Sequence, residues 1–266
     1  MNEASFSGSS SLACGAIASV ESVSPAELLD VWERGQHQAP VERALTMLAA
    51  VCPSASRETL AALSIGQRDA CLIALRERLF GQVLTSLADC PACGERLEMT
   101  FSVLDIRASS KAEPGAMLSF SQSGYELGLR LPNSLDLLAL AGCASPGEMR
   151  GRLIEQCVMS IRHQGRTEST ALTSEMPAEI LNAAIEQIAQ ADPQADVQVD
   201  LTCPCCRHEW QAGFDIVSYL WSELHDRAIH LLREIHLLAS AYGWRESDIL
   251  NMSSSRRVCY LEMLAG

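Results

Sequence analysis

The chain has 266 residues, 48% of them hydrophobic and 5% aromatic, and a formal net charge of −13, which provides an aliphatic, helix-packed core for one large domain or two modest ones. So acidic a chain repels phosphate backbones and anionic headgroups, which disfavours generic nucleic-acid or membrane-surface binding. Nowhere do eighteen apolar residues run together, which argues against a membrane-spanning helix, and eleven cysteines, an odd number without a secretion signal, do not suit a disulfide framework.

Residues 1–22, rich in serine and with Glu3 where a signal peptide would carry a basic residue, are expected to form a flexible N-terminal tail. The reducing cytoplasm is the expected location. At "SPAELLDVWERG" Ser24 can cap a helix, Pro25 suits its first turn, Glu27 completes a capping box and Gly35 ends it. "VERALTMLAAVC" reads as a second helix, and "SIGQRDACLIALRERLFG" as a third, capped by Ser64 and ended near Gly81.

"CPACGERLEMTF" begins at Cys90. Two cysteines two residues apart, Cys90 and Cys93, form the thiolate hook of a zinc ribbon, which needs a second hook to complete four ligands. That hook, Cys203 and Cys206 in "LTCPCCRHEW", lies about 110 residues downstream, where an ordinary ribbon spaces its hooks by about 15 to 20 residues. "RLEMTFSVLDI" alternates Leu97, Met99, Phe101 and Val103 like a strand, and "VQVDLT" and "EWQAGFDI" flank the second hook in the same way, so both hooks are expected at the bends of hairpins. Gly94 follows the first hook, whereas Arg207 replaces it in the second, so the second turn is expected to relax differently.

Between the hooks, "LSFSQSGYELGLRLP" reads as a hairpin turning at Ser123 and Gly124, followed by helices in "NSLDLLALAGC", "SPGEMRGRLIEQCVMSI" and "PAEILNAAIEQIAQ". From about Val217 to Tyr242, Leu220, Leu224, Ala228, Leu231, Ile235, Leu238 and Tyr242 make one apolar stripe, which Gly243 should end. "ESDILNMSSSRRVCYLEML" then gives a short helix and a final one.

The expected fold is therefore α+β, mainly α-helical: a split four-cysteine zinc ribbon with an inserted hairpin-plus-helices unit and a C-terminal helical segment. Its parts are the tail 1–22, N-terminal helices 23–89, first half of the ribbon 90–107, inserted unit 108–195, second half of the ribbon 196–216 and C-terminal helices 217–266.

Four cysteine thiolates, Cys90, Cys93, Cys203 and Cys206, suit a tetrahedral structural zinc and leave no open position for a catalytic water. Cys205 and His208 adjoin the second hook, but only the Cys203/Cys206 pair keeps the two-residue gap. Cys14, Cys52, Cys71, Cys143, Cys157 and Cys259 read as scattered small residues, mostly on apolar helical faces. His225, His230 and His236 are spaced by five and six, which does not align them as ligands, and Asp226 with His230 reads as a surface pair. No phosphate loop, dinucleotide fingerprint, nucleophile elbow or H-E-x-x-H motif is present, so no enzyme is expected. The C-terminal stretch has a helix-turn-helix outline, with Arg245, Arg256 and Arg257 as candidate phosphate contacts, which keeps a zinc-ribbon nucleic-acid-binding regulator as the alternative.

The blocks "LSIGQRDACLIALRERLFG" leading into "CPACGERLEMTF", and "LLASAYGWRESDILNMSSSRRVCYLEML", resemble the baseplate hub assembly chaperone family of T-even-type contractile-tailed phages and of phage-tail-like contractile injection systems. The resemblance covers chiefly residues 60–103 and 203–264. It implies a non-enzymatic assembly chaperone or baseplate-associated structural factor that binds hub or spike proteins. Tyr242, Trp244, Arg256, Arg257 and Tyr260 are the expected partner contacts, as aromatic and arginine groups suited to protein interfaces.

Overall fold

A computed structural model describes residues 23–108, 115 and 117–265. The expected N-terminal tail and Cys14 lie outside the described residues. Helix α1 (Pro25–Gly35) opens with the capping box read from the sequence: the Ser24 amide donates to Glu27 Oε2 at 2.8 Å and the Glu27 amide to Ser24 Oγ at 3.2 Å. Helix α2 (Pro40–Val51) follows, then α3 (Arg57–Ala61), a short additional helix capped by Ser56. Helix α4 (Ile65–Phe80) starts on a Ser64/Gln67 capping box and stops at Gly81, whose φ of +86 needs a residue without a Cβ.

Strands β1 (Val83–Asp89) and β2 (Arg96–Ser102) form an antiparallel hairpin whose turn carries the first hook. The alternating pattern predicts a strand that runs on through Val103, but residues Val103–Ile106 make a short helical turn, α5. Ser102 and Asp105 form a reciprocal capping box there, a local signal that overrides the alternation.

The segment between the hooks contains more sheet than the sequence suggests. Strands β3 (Leu118–Gln122) and β4 (Tyr125–Leu129) turn at Ser123 and Gly124, with φ of 50 and 80. After α6 (Ser134–Ala139) and α7 (Pro146–Cys157), the stretch Val158–His163, expected to continue a helix as far as Ile161, is strand β5; it pairs with β4 and with β6 (Arg166–Glu168) in the order β3-β4-β5-β6. The difference has a physical cause. A register shift opposite Gly128/Leu129 leaves Met159 as an extra residue, so Val158 and Ile161 both face the core at a spacing of three, which imitates a helix. Helix α8 (Ala178–Ala191) packs on this sheet, and Leu127, Leu129, Ile154, Cys157, Val158, Ile161, Met176, Ile180 and Ala184 form its core.

Polar groups stitch this unit to the rest of the chain. Gln194 donates from Nε2 to the Ile106 carbonyl at 3.0 Å and accepts from the Ala108 amide through Oε1 at 2.7 Å, so the outgoing and returning stretches of chain are clamped together. Asp192, 2% exposed, accepts from the Gly66 amide at 2.9 Å, and a Cβ at Gly66 would stand 2.0 Å from the Asp192 carboxylate, so only glycine permits this approach.

Strands β7 (Val197–Thr202) and β8 (Glu209–Phe214) form the second hook hairpin. Asp215 then caps α9 (Ile216–Tyr242), which ends at Gly243 with φ of 66 and is followed by α10 (Glu246–Leu250) and α11 (Ser254–Ala265). Leu220, Leu224, Ala228, Leu231, Ile235 and Leu238 are buried as the stripe requires, while Tyr242 remains 36% exposed. The main core joins α1 to α4, before the first hook, with α9 and α10, after the second. Among the described residues no helix is long and apolar enough to cross a membrane.

Candidate metal centre

The two hook turns repeat one backbone design. Cys90 donates its amide to the Glu95 carbonyl and Gly94 to the Cys90 carbonyl, both at 2.9 Å; Cys203 donates to His208 and Arg207 to Cys203, again both at 2.9 Å. Gly94 and Arg207 have φ of 74 and 62. The second turn therefore does not relax differently, contrary to expectation: Arg207 accepts the left-handed conformation, because the paired strands on either side fix the turn.

Behind the hooks the hairpins meet through aromatic packing, Phe101 edge-on to Phe214 at 5.6 Å and Phe214 against Tyr219 at 5.3 Å. The Tyr219 hydroxyl donates to the Thr85 carbonyl and accepts from the Thr85 amide, each at 3.0 Å, tying α9 to β1. Arg76 of α4, 3% exposed, grips Glu223 of α9 through two hydrogen bonds of 2.8 and 2.6 Å.

This frame brings the sulfurs of Cys90, Cys93, Cys203 and Cys206 within 4.8 Å of one another. Close approaches cross between the hooks, Cys90 to Cys206 at 3.7 Å and Cys93 to Cys203 at 3.6 Å. A tetrahedron of metal–sulfur bonds of about 2.3 Å has an edge of about 3.8 Å, so the spacing fits a zinc-sized ion. Cys90 and Cys203 are buried, whereas Cys93 and Cys206 reach the surface.

The electrostatics fit a cation as well. Amides of Cys206 and Cys205 hold the Cys203 thiol down, to about 7. The Glu95 amide favours the Cys93 thiolate, but hydrogen bonds that the Cys93 thiol donates to the sulfurs of Cys206, Cys203 and Cys90, together with desolvation, outweigh it and push that thiol up to about 12. Four sulfurs this close cannot all ionise without a positive charge between them.

Cys205 is exposed and outside the cluster, and His208 stacks on Trp210 at 6.0 Å. Cys52, Cys71 and Cys157 are buried, but Cys143 is half-buried and Cys259 exposed. The three histidines of α9 stay apart. His225 Nδ1 accepts from Trp32 Nε1 at 3.0 Å, and His230 pairs with Glu234 at 3.2 Å rather than with the expected Asp226.

The aromatic residues singled out at the C-terminus do converge. Tyr242 stacks on Trp244 at 4.5 Å, Tyr260 stands edge-on to Trp244 at 4.8 Å, and Arg256 lies over the Tyr260 ring at 5.7 Å. Arg257 does not join them. It is 1% exposed, donating to Glu234 at 2.9 Å and to the Met252 carbonyl at 2.7 Å, so it holds α11 to α9 instead of facing a partner. Sequence reasoning does not single out Glu234. A carboxylate inside the apolar stripe between Leu231 and Ile235 is the available signal, since a buried acid requires a cation.

The chain matches the family described as T4 bacteriophage base plate protein over residues 26–221. No curated protein matches it, and neither does any solved structure. The matched span includes both hooks and the segment between them, which has no part in the sequence resemblance, and stops before the aromatic cluster. Most of the chain is covered, and the protein belongs to the T4 bacteriophage base plate protein family.

Proposed function

We propose that this protein is a non-enzymatic assembly chaperone or baseplate-associated structural factor of a contractile, phage-tail-like particle, stapled by one structural zinc ion. The family match spanning both cysteine hooks carries this reading, because a baseplate protein works through contacts with other baseplate proteins. Cys90, Cys93, Cys203 and Cys206 would hold the metal, with the hook amides stabilising the thiolates. Zinc would supply the charge that lets four sulfurs share one point, and an all-sulfur ligand set leaves no position for a reactive water. The partner surface is proposed at Tyr242, Trp244, Tyr260 and Arg256, where rigid aromatic rings and a guanidinium offer the anchors that hub or spike proteins could bind.

The nucleic-acid reading loses support from Arg257, whose guanidinium is paired inside the chain. The test is co-purification from the native host with Trp244→Ala/Tyr260→Ala as the comparison. Hub or spike proteins should accompany the parent and be lost from the double variant. Equal recovery with both would remove this surface from the proposal.

A further inference from the structure

Helix α9 has a second apolar face that its own chain covers only in part. Helix α1 runs antiparallel along it: the Trp221 ring stands 2.4 Å from where a Cβ on Gly35 would be, and Trp32 meets His225 one turn later. Both helices rise by about 1.5 Å per residue, so α1, which begins at Pro25, ends roughly level with Leu232. Beside that end of α1, and beyond it, the face is open. Ile229, Leu232, Arg233, His236 and Leu237 line a groove of about 530 Å³, with Leu237 53% exposed. Their spacing places them on one side of the helix, the pattern of a helix that packs on another helix.

Charge on this face is divided by position. Asp226 lies one turn before Ile229, towards the N-terminal end, while Arg233 and His236 lie towards the C-terminal end. Asp226 makes no ion pair with a described residue, because His230, its expected partner, is engaged by Glu234. Nor do Arg233 and His236 make one among the described residues. An acid at one end and bases at the other are self-complementary only when two copies of the face meet in opposite directions. A parallel pairing would oppose like charges.

We infer that this face of α9 docks against the same face of a second copy, with the two helices antiparallel about a twofold axis. Asp226 of each copy then lies beside Arg233 and His236 of the other, and Ile229, Leu232 and Leu237 close the apolar seam. The contact is isologous, so every charge pair forms twice. The patch is small compared with an obligate interface, so the dimer dissociates on dilution.

The test is sedimentation velocity of the full chain from about 1 to 100 µM, a range that brackets micromolar affinity. The parent should show a reversible monomer–dimer equilibrium. Asp226→Arg and Arg233→Asp should each raise the dissociation constant by at least about tenfold, because like charges then meet twice. Mixing the two variants in equal amounts should restore a dimer, seen by native mass spectrometry as a heterodimer, because each reversed charge then faces an opposite one. Both side chains are exposed, so thermal melting should confirm that the variants fold. A monomer at every concentration would overturn the inference, leaving the face to another baseplate protein or to residues 1–22. A dimer that neither reversal weakens, or that mixing does not rescue, would overturn it equally.

Discussion

Gly94 and Arg207 occupy the same position in the two cysteine turns, one residue beyond the second cysteine, and both adopt the left-handed backbone, with φ of 74 and 62. Glycine does this freely, whereas a residue with a Cβ incurs about 1–2 kcal/mol. Arg207→Gly should therefore stabilise the protein. The gain is offset by the greater unfolded-state entropy of glycine, leaving about 0.5–1 kcal/mol. A higher melting temperature with unchanged metal content is the expected result; a lower one would mean that the Arg207 side chain contributes more than its backbone costs.

The metal prediction separates neighbouring cysteines. Cys93→Ser and Cys206→Ser should each lose zinc and destabilise the chain by on the order of several kcal/mol, because metal binding is coupled to folding. Cys205→Ser should retain the parent's zinc, since its sulfur lies outside the cluster. Metal analysis of the three purified variants, with melts before and after chelation, checks both statements. Zinc loss from Cys205→Ser would redraw the ligand set.

The two adjacent arginines should behave differently. Glu234→Ala leaves the Arg257 guanidinium buried without its carboxylate and should cost about 3–5 kcal/mol. Arg256→Ala, at an exposed position, should change stability by no more than about 0.5 kcal/mol. Denaturant unfolding measures both, and equal effects would contradict the placement of Arg257.

Asp69 supplies a pH test. Burial raises its folded-state pKa, with the neighbouring Arg68 opposing that shift. The folded state therefore binds the proton more tightly than the unfolded state. The associated stability is complete below the unfolded carboxyl value and is lost as pH rises through the folded value. Asp69→Asn keeps an acceptor for Arg68 Nε, which lies 2.7 Å from Asp69 Oδ1, without the buried charge. The variant should be at least as stable as the parent at pH 7, and its advantage should shrink as pH falls toward the unfolded value. A variant clearly less stable at pH 7 would show that the Arg68 pair outweighs the burial cost.

Local chemistry makes much of the fold legible in the sequence. The capping box at Ser24, the cap at Ser64, the turn at Ser123–Gly124 and the stop at Gly243 depend on a few adjacent residues, and the structure has each of them. Periodicity fails where a local feature changes it, at the bulge that brings Val158 and Ile161 to one face and at the cap that turns Val103 out of a strand. The four hook cysteines can be grouped because their spacing is intrinsic to the turn. Partners distant in sequence cannot be read: nothing local to Arg257 indicates Glu234, and nothing local to Gln194 indicates Ile106. Such pairs depend on how helices dock, which one chain's periodicity does not specify.

In this reading the two hooks close on one metal ion, in a protein that works beside other baseplate components. Native mass spectrometry of the tagged chain, purified from its own host without chelator, tests it most directly. One zinc ion per chain together with a co-purifying hub or spike protein is the expected result. Metal-free protein with no baseplate partner would contradict it.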